Sequence, residues 1–149
     1  MTVDINYLAV LALGVAAMVI GSLWYSPILF GKPWMKLTGL TDEKMADPPS
    51  LKLRTGEGEE KKGVAGAYIG MFIAALLTAY VMAHFVSLLG IVDFMGAFQL
   101  AVWSWLGFTA ATTAGDYLFL KKPFTLYLIN VGYYLPISIV MATILTFWK

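Results

Sequence analysis

Two rows of polar side chains interrupt an otherwise apolar chain. Trp105, Thr109, Thr112 and Asp116 follow i, i+4, i+7 and i+11, a spacing that places them on one face of a helix. Asn130, Tyr134 and Ser138 recur at intervals of four and form a second such row. Set opposite each other, the rows would enclose a polar pocket, with Asp116 and Asn130 as hydrogen-bonding contacts and Trp105 and Tyr134 as walls. That set suits ligand binding better than catalysis, because no nucleophile, base and oxyanion donor come together in it. Hydroxyls in such rows also have a plainer use, bonding back to carbonyls of their own helix. His84 is the one side chain whose ordinary titration falls near neutrality. A proton relay there would need acids at its depth, and only Asp93 is near, so a lone hydrogen-bonded histidine is the simpler reading. The sequence contains no cysteine, which removes thiolate chemistry, disulfides and Cys-based metal sites together. No catalytic residue, metal site or cofactor is expected.

The elements that would carry these rows are four apolar runs, at about 5–23, 64–89, 94–120 and 124–148. Hydrophobic residues make up 60% of the 149 and charged residues only 13%, with a mean hydropathy of +0.77; soluble domains hold about 25% charged residues. At about 1.5 Å per residue each run is long enough, as a helix, to cross a hydrocarbon layer of about 30 Å. The expected fold is all-α, an integral membrane four-helix bundle forming a single domain over residues 1–149. Residues before the first run include Asp4 and no Lys or Arg, so that run reads as a retained span and not as a signal peptide. A net charge of +1 gives no reason to expect nucleic acid, which demands clustered cations. The expected surroundings are the lipid bilayer of a cell membrane, crossed several times.

Orientation follows from the cations. Of ten Lys and Arg residues, all but Lys149 lie in two gaps, the long one at about 27–62 and the short one at Lys121-Lys122. Cytoplasmic loops retain such residues, so both gaps are expected inside and both termini on the non-cytoplasmic side. Asp116 then lies near the inner boundary, where an ion pair with Lys121 or Lys122 would be its simplest use. Small residues mark where helices in lipid approach closely. Gly66, Gly70 and Ala74 form one such row in the second run, Ala75, Ala79 and Ala83 another, and Gly107, Ala111 and Gly115 repeat the device in the third. Two small faces on the second run imply that it sits centrally or that it also meets a second subunit. Pro136 cannot donate to the Gly132 carbonyl, which predicts a kink there.

The long gap opens with Trp24-Tyr25-Ser26-Pro27-Ile28-Leu29-Phe30-Gly31-Lys32-Pro33-Trp34. Pro27 disfavours helix at Ser26, and Gly31 with Pro33 suits a turn. The chain is expected to leave the first helix here and run along the membrane surface, Trp24 and Trp34 serving as interfacial anchors. Thr41-Asp42-Glu43 resembles the start of a short helix, and residues 47–62 read as a polar linker. Together with Gly107-Phe108-Thr109-Ala110-Ala111-Thr112, Pro123-Phe124 and Gly132-Tyr133-Tyr134-Leu135, the aromatic and proline motif resembles the Domain of Unknown Function 1761 family of small multi-pass membrane proteins. That resemblance implies a compact helical membrane protein and carries no activity or catalytic residue across. The expected function is a noncatalytic, oligomeric membrane module that supports or regulates another membrane component. The alternative is a small carrier or ligand-binding protein using the pocket above, open to the cytoplasm, with its small-molecule ligand unknown; an enzyme ranks third.

Overall fold

The computed structural model describes residues 4–39 and 60–148, and these are helical apart from short connections. Among the described residues five helices follow in order: α1 (Tyr7–Trp24), α2 (Gly31–Thr38), α3 (Glu60–Leu88), α4 (Phe94–Phe119) and α5 (Phe124–Phe147). All but α2 are long and apolar enough to cross a membrane. The Thr41-Asp42-Glu43 start and most of the 47–62 linker lie outside the described residues. The end of that linker does not: α3 begins at Glu60 and takes Lys61 and Lys62 into the helix. Glu and Lys are good helix formers.

The ends of the helices are set by local chemistry. Asn6 caps α1, its side-chain oxygen accepting from the Leu8 and Ala9 amides at 3.0 and 3.1 Å, which satisfies two of the orphan donors of a first turn. Gly90, at φ +64°, closes α3, and Asp93 then caps α4 through the Gly96 amide at 2.7 Å. Within α4 the backbone widens to a π-helical turn over Trp105–Ala110. Lys121 takes a left-handed φ of 52° and turns the chain into α5.

Packing departs from the order of the chain. α1 pairs chiefly with α3 and α4 with α5, while α5 also touches α1, α2 and α3. α3 and α4 are joined by a short turn yet hardly meet. The central helix is therefore the fourth span and not the second; 44% of its most apolar window is buried against 17–28% for the others. Alanines form the close seams: Ala9 and Ala17 of α1, Ala79 and Ala83 of α3, Ala97 and Ala101 of α4, and Ala142 of α5 all lie in the core. A methyl group lets backbones approach without the flexibility that glycine adds. Gly66, Gly70, Gly107 and Gly115 have nothing within 4 Å of where a Cβ would sit, so these glycines make no close contact among the described residues.

The Trp24–Trp34 segment leaves α1 as a compact turn. The chain folds back on itself, with Phe30 N–H donating to the Trp24 carbonyl at 3.0 Å and Leu29 and Gly31 N–H both reaching the Ser26 carbonyl, at 3.2 and 2.9 Å. This compact turn launches α2, which packs on α5. Gly31 makes the turn possible, because a Cβ there would lie 2.6 Å from the Ser26 carbonyl oxygen and nearer still to that of Tyr25. Both are backbone atoms and cannot move aside. Gly31→Ala should therefore destabilise the protein by about 2 kcal/mol or more in reversible unfolding from mixed micelles, whereas Gly66→Ala, with open space around it, should be neutral or slightly stabilising.

Candidate functional site

The folded-back turn and α2 deliver three aromatic donors to one stretch of α5. Trp24 Nε1–H donates to the Ile129 carbonyl at 3.0 Å. The Tyr25 hydroxyl and Trp34 Nε1–H both donate to Asn130 Oδ1, at 3.2 and 3.1 Å. An indole N–H can only donate, so the atom facing Trp34 must be the amide oxygen. That fixes the other end: Asn130 Nδ2 donates to the Tyr117 hydroxyl of α4 at 2.6 Å. A single amide thus joins the turn after α1, α2, α4 and α5. Burial pushes the Tyr25 phenol above its ordinary range, with Tyr134, Tyr133 and Tyr117 adding to the shift, which keeps it protonated for this donation.

A second set of bonds runs beside the first. Trp105 Nε1–H, at the start of the π-helical turn, donates to the Val131 carbonyl at 2.8 Å, and the Tyr127 hydroxyl donates to the Ala110 carbonyl at the end of that turn, also at 2.8 Å. The wider turn is therefore held at both ends by α5. Deeper in, the Tyr133 hydroxyl donates to the Ala17 carbonyl of α1 at 3.3 Å, and the Trp24 ring lies over Gly132, 3.3 Å from where its Cβ would be. Rings interleave around the amide, with Tyr25 and Trp34 5.2 Å apart edge to face and Tyr25 and Tyr133 5.4 Å apart. α5 remains helical through Pro136.

The two polar rows do not meet as one pocket. Asn130 is engaged as described, and Trp105 donates to the α5 backbone. Thr112 and Ser138 bond back to the Phe108 and Tyr134 carbonyls at 2.7 and 2.8 Å, the competing use of such hydroxyls. Asp116 is exposed, and the nearby Lys122 instead places Nζ 5.7 Å from the Tyr117 ring centre. His84 accepts this logic too: its Nδ1 lies 3.0 Å from the Tyr80 carbonyl, one turn back on its own helix. Trp105, Thr109 and Ser138 do share a cleft of about 440 Å³, but its far wall is Leu77, Val81 and Phe85 of α3, in the gap that α3 and α4 leave between them. Tyr134 faces another cleft, between α5, α1 and α3.

Sequence reasoning missed Tyr117 and Tyr127, and read Tyr25 and Trp34 as part of a membrane-interface motif without their bonds to Asn130. One signal was present: Asn130 is the amide of the fourth run, at the same membrane end as four unused aromatic donors. Removing it should be costly. Asn130→Leu strands the Tyr25, Trp34 and Tyr117 groups and should lower unfolding stability in mixed micelles by about 2 kcal/mol, against about 1 kcal/mol or less for Tyr127→Phe, which gives up one bond; equal effects would mean the amide does not tie the elements together.

The sequence was compared with known proteins. No curated protein and no solved structure matches it. The sequence profile described as Protein of unknown function (DUF1761) matches residues 8–146, from the first turn of α1 to the last of α5. Its span takes in the Trp24–Trp34 turn, the π-helical turn and Asn130 alike, and the chain belongs to the DUF1761 family.

Proposed function

We propose that the protein is a noncatalytic membrane module that assembles, through its outer helix faces, with another copy or another membrane protein. The observation that carries this reading is the position of the small-residue rows. Gly66, Gly70 and Ala74 on α3, and Gly107 and Ala111 on α4, are exposed, with open space at each glycine. Helices in lipid gain little by covering apolar side chains, since lipid covers them equally well, but small residues let two backbones come close enough for dispersion and weak hydrogen bonds to favour association. Asn130 and Trp105 are committed to bonds between elements, and Thr112 and Ser138 to carbonyls of their own helices. In this reading both basic gaps face the cytoplasm, because the Lys121-Lys122 turn and α2, with Lys32 and Lys36, lie at the same end of the helices.

The absence of cysteine makes the reading directly testable. A single cysteine at Gly70 should give an oxidative cross-link in native membranes, and one at Val19, exposed on α1, should give none; equal yields at both positions would refute assembly through the glycine row. For orientation, a cysteine at Val92, 67% exposed, should react with an impermeant maleimide added outside intact cells, and one at Lys122 should react only after the cells are opened. The reverse pattern would invert the topology.

A further inference from the structure

We propose that the cleft between α1, α3 and α5 is a binding site for an uncharged, ring-bearing molecule dissolved in the bilayer, one that presents a carbonyl or comparable oxygen, as a quinone does. The cleft measures about 350 Å³ and is lined by Ser22, Tyr25, Tyr68, Met71, Tyr133 and Tyr134 among others, a size at the lower end of small-ligand sites. Its shape depends on Gly21 of the lining, since a Cβ there would meet the Tyr133 hydroxyl at 2.9 Å.

Two observations select the ligand. The first is hydroxyl bookkeeping. Tyr25 and Tyr133 spend their protons on Asn130 and on the Ala17 carbonyl, and Ser22 spends its own on the Met18 carbonyl at 2.9 Å. The Tyr134 hydroxyl has no partner among the described residues, although Tyr134 lies ten residues into the 24-residue α5, about 15 Å along a helix and close to the middle of a membrane. An unpaired hydroxyl in hydrocarbon costs about 2 kcal/mol or more, which its own helix does not offset. An acceptor oxygen on a bound molecule would.

The second is charge. Among the described residues no ionisable acid or base lines the cleft apart from its phenols, so these offer an anion no counter-charge. An organic cation would find aromatic faces but no carboxylate among the described residues of the lining. A neutral ring fits both conditions, and the paired phenols offer it stacking partners, with Tyr133 and Tyr134 4.9 Å apart edge to face and thioether contacts from the methionine. This site does not depend on whether the outer glycine rows meet another chain.

The test uses the full-length protein in lipid nanodiscs, titrated with a short-tailed benzoquinone while tryptophan emission is followed; Trp24 lies 6.5 Å from Tyr133, centre to centre. Saturable quenching is expected. Tyr134→Phe, which removes no hydrogen bond made by its side chain within the described residues, should weaken it about five- to tenfold, Met71→Trp should abolish saturation by filling the cleft, and Tyr127→Phe should change nothing. Quenching that rises linearly without saturation, undiminished binding by Tyr134→Phe, or saturable binding of tetrabutylammonium at least as tight as that of the quinone would each overturn the proposal.

Discussion

The structure depends on one amide. In water a side chain such as Asn130 would have many partners, but in a hydrocarbon layer a donor or acceptor left unpaired stays unpaired. Asn130 resolves this by taking two donors on its oxygen and giving one proton away. Its partners come from the turn after α1, from α2 and from α4, so satisfying one residue positions three other elements around α5. The Trp24 and Trp105 indoles, bonded to the carbonyls on either side of residue 130, continue the same tie along the backbone.

From that tie follows an asymmetry between the two ends of the molecule. At the basic end, aromatic donors and carbonyls hold α1, α2, α4 and α5 by directional bonds. Toward the other end the contacts are methyl against methyl, the alanine seams of α1, α3, α4 and α5 with Leu13 and Met141 filling between them. α3 takes little part in the polar tie, and it borders both of the clefts that open beside α5, one shared with α4 and one with α1. The helix that takes least part in the polar tie is thus the one that bounds these open spaces.

Much of this was legible in the sequence and some was not, for definite reasons. The four spans were readable because hydropathy is a local property, and the α1, α3 and α4 boundaries carry their own capping residues. The purpose of Trp24-Tyr25 and Trp34 was not, since their acceptors lie about a hundred positions away, and an indole at a membrane boundary has the same spacing whether it meets headgroups or a carbonyl. Small residues at intervals of four were legible as contact rows but not as to partner, because Ala79 and Ala83 face the core while Gly66 and Gly70 face outward. The π-helical turn at Trp105–Ala110 left no local mark. It shifts the face on which Trp105 and Thr109 stand relative to Thr112 and Asp116, which is one reason that an ideal helical spacing did not gather the row.

That Asn130 couples α2 to α5 is checked by a double-mutant cycle between Trp34→Phe and Asn130→Ala, read as unfolding free energy in mixed micelles. The account predicts that the two losses fall short of additivity by about 0.5 kcal/mol or more, the interaction energy expected of residues in one hydrogen-bond network. Additive losses would contradict it.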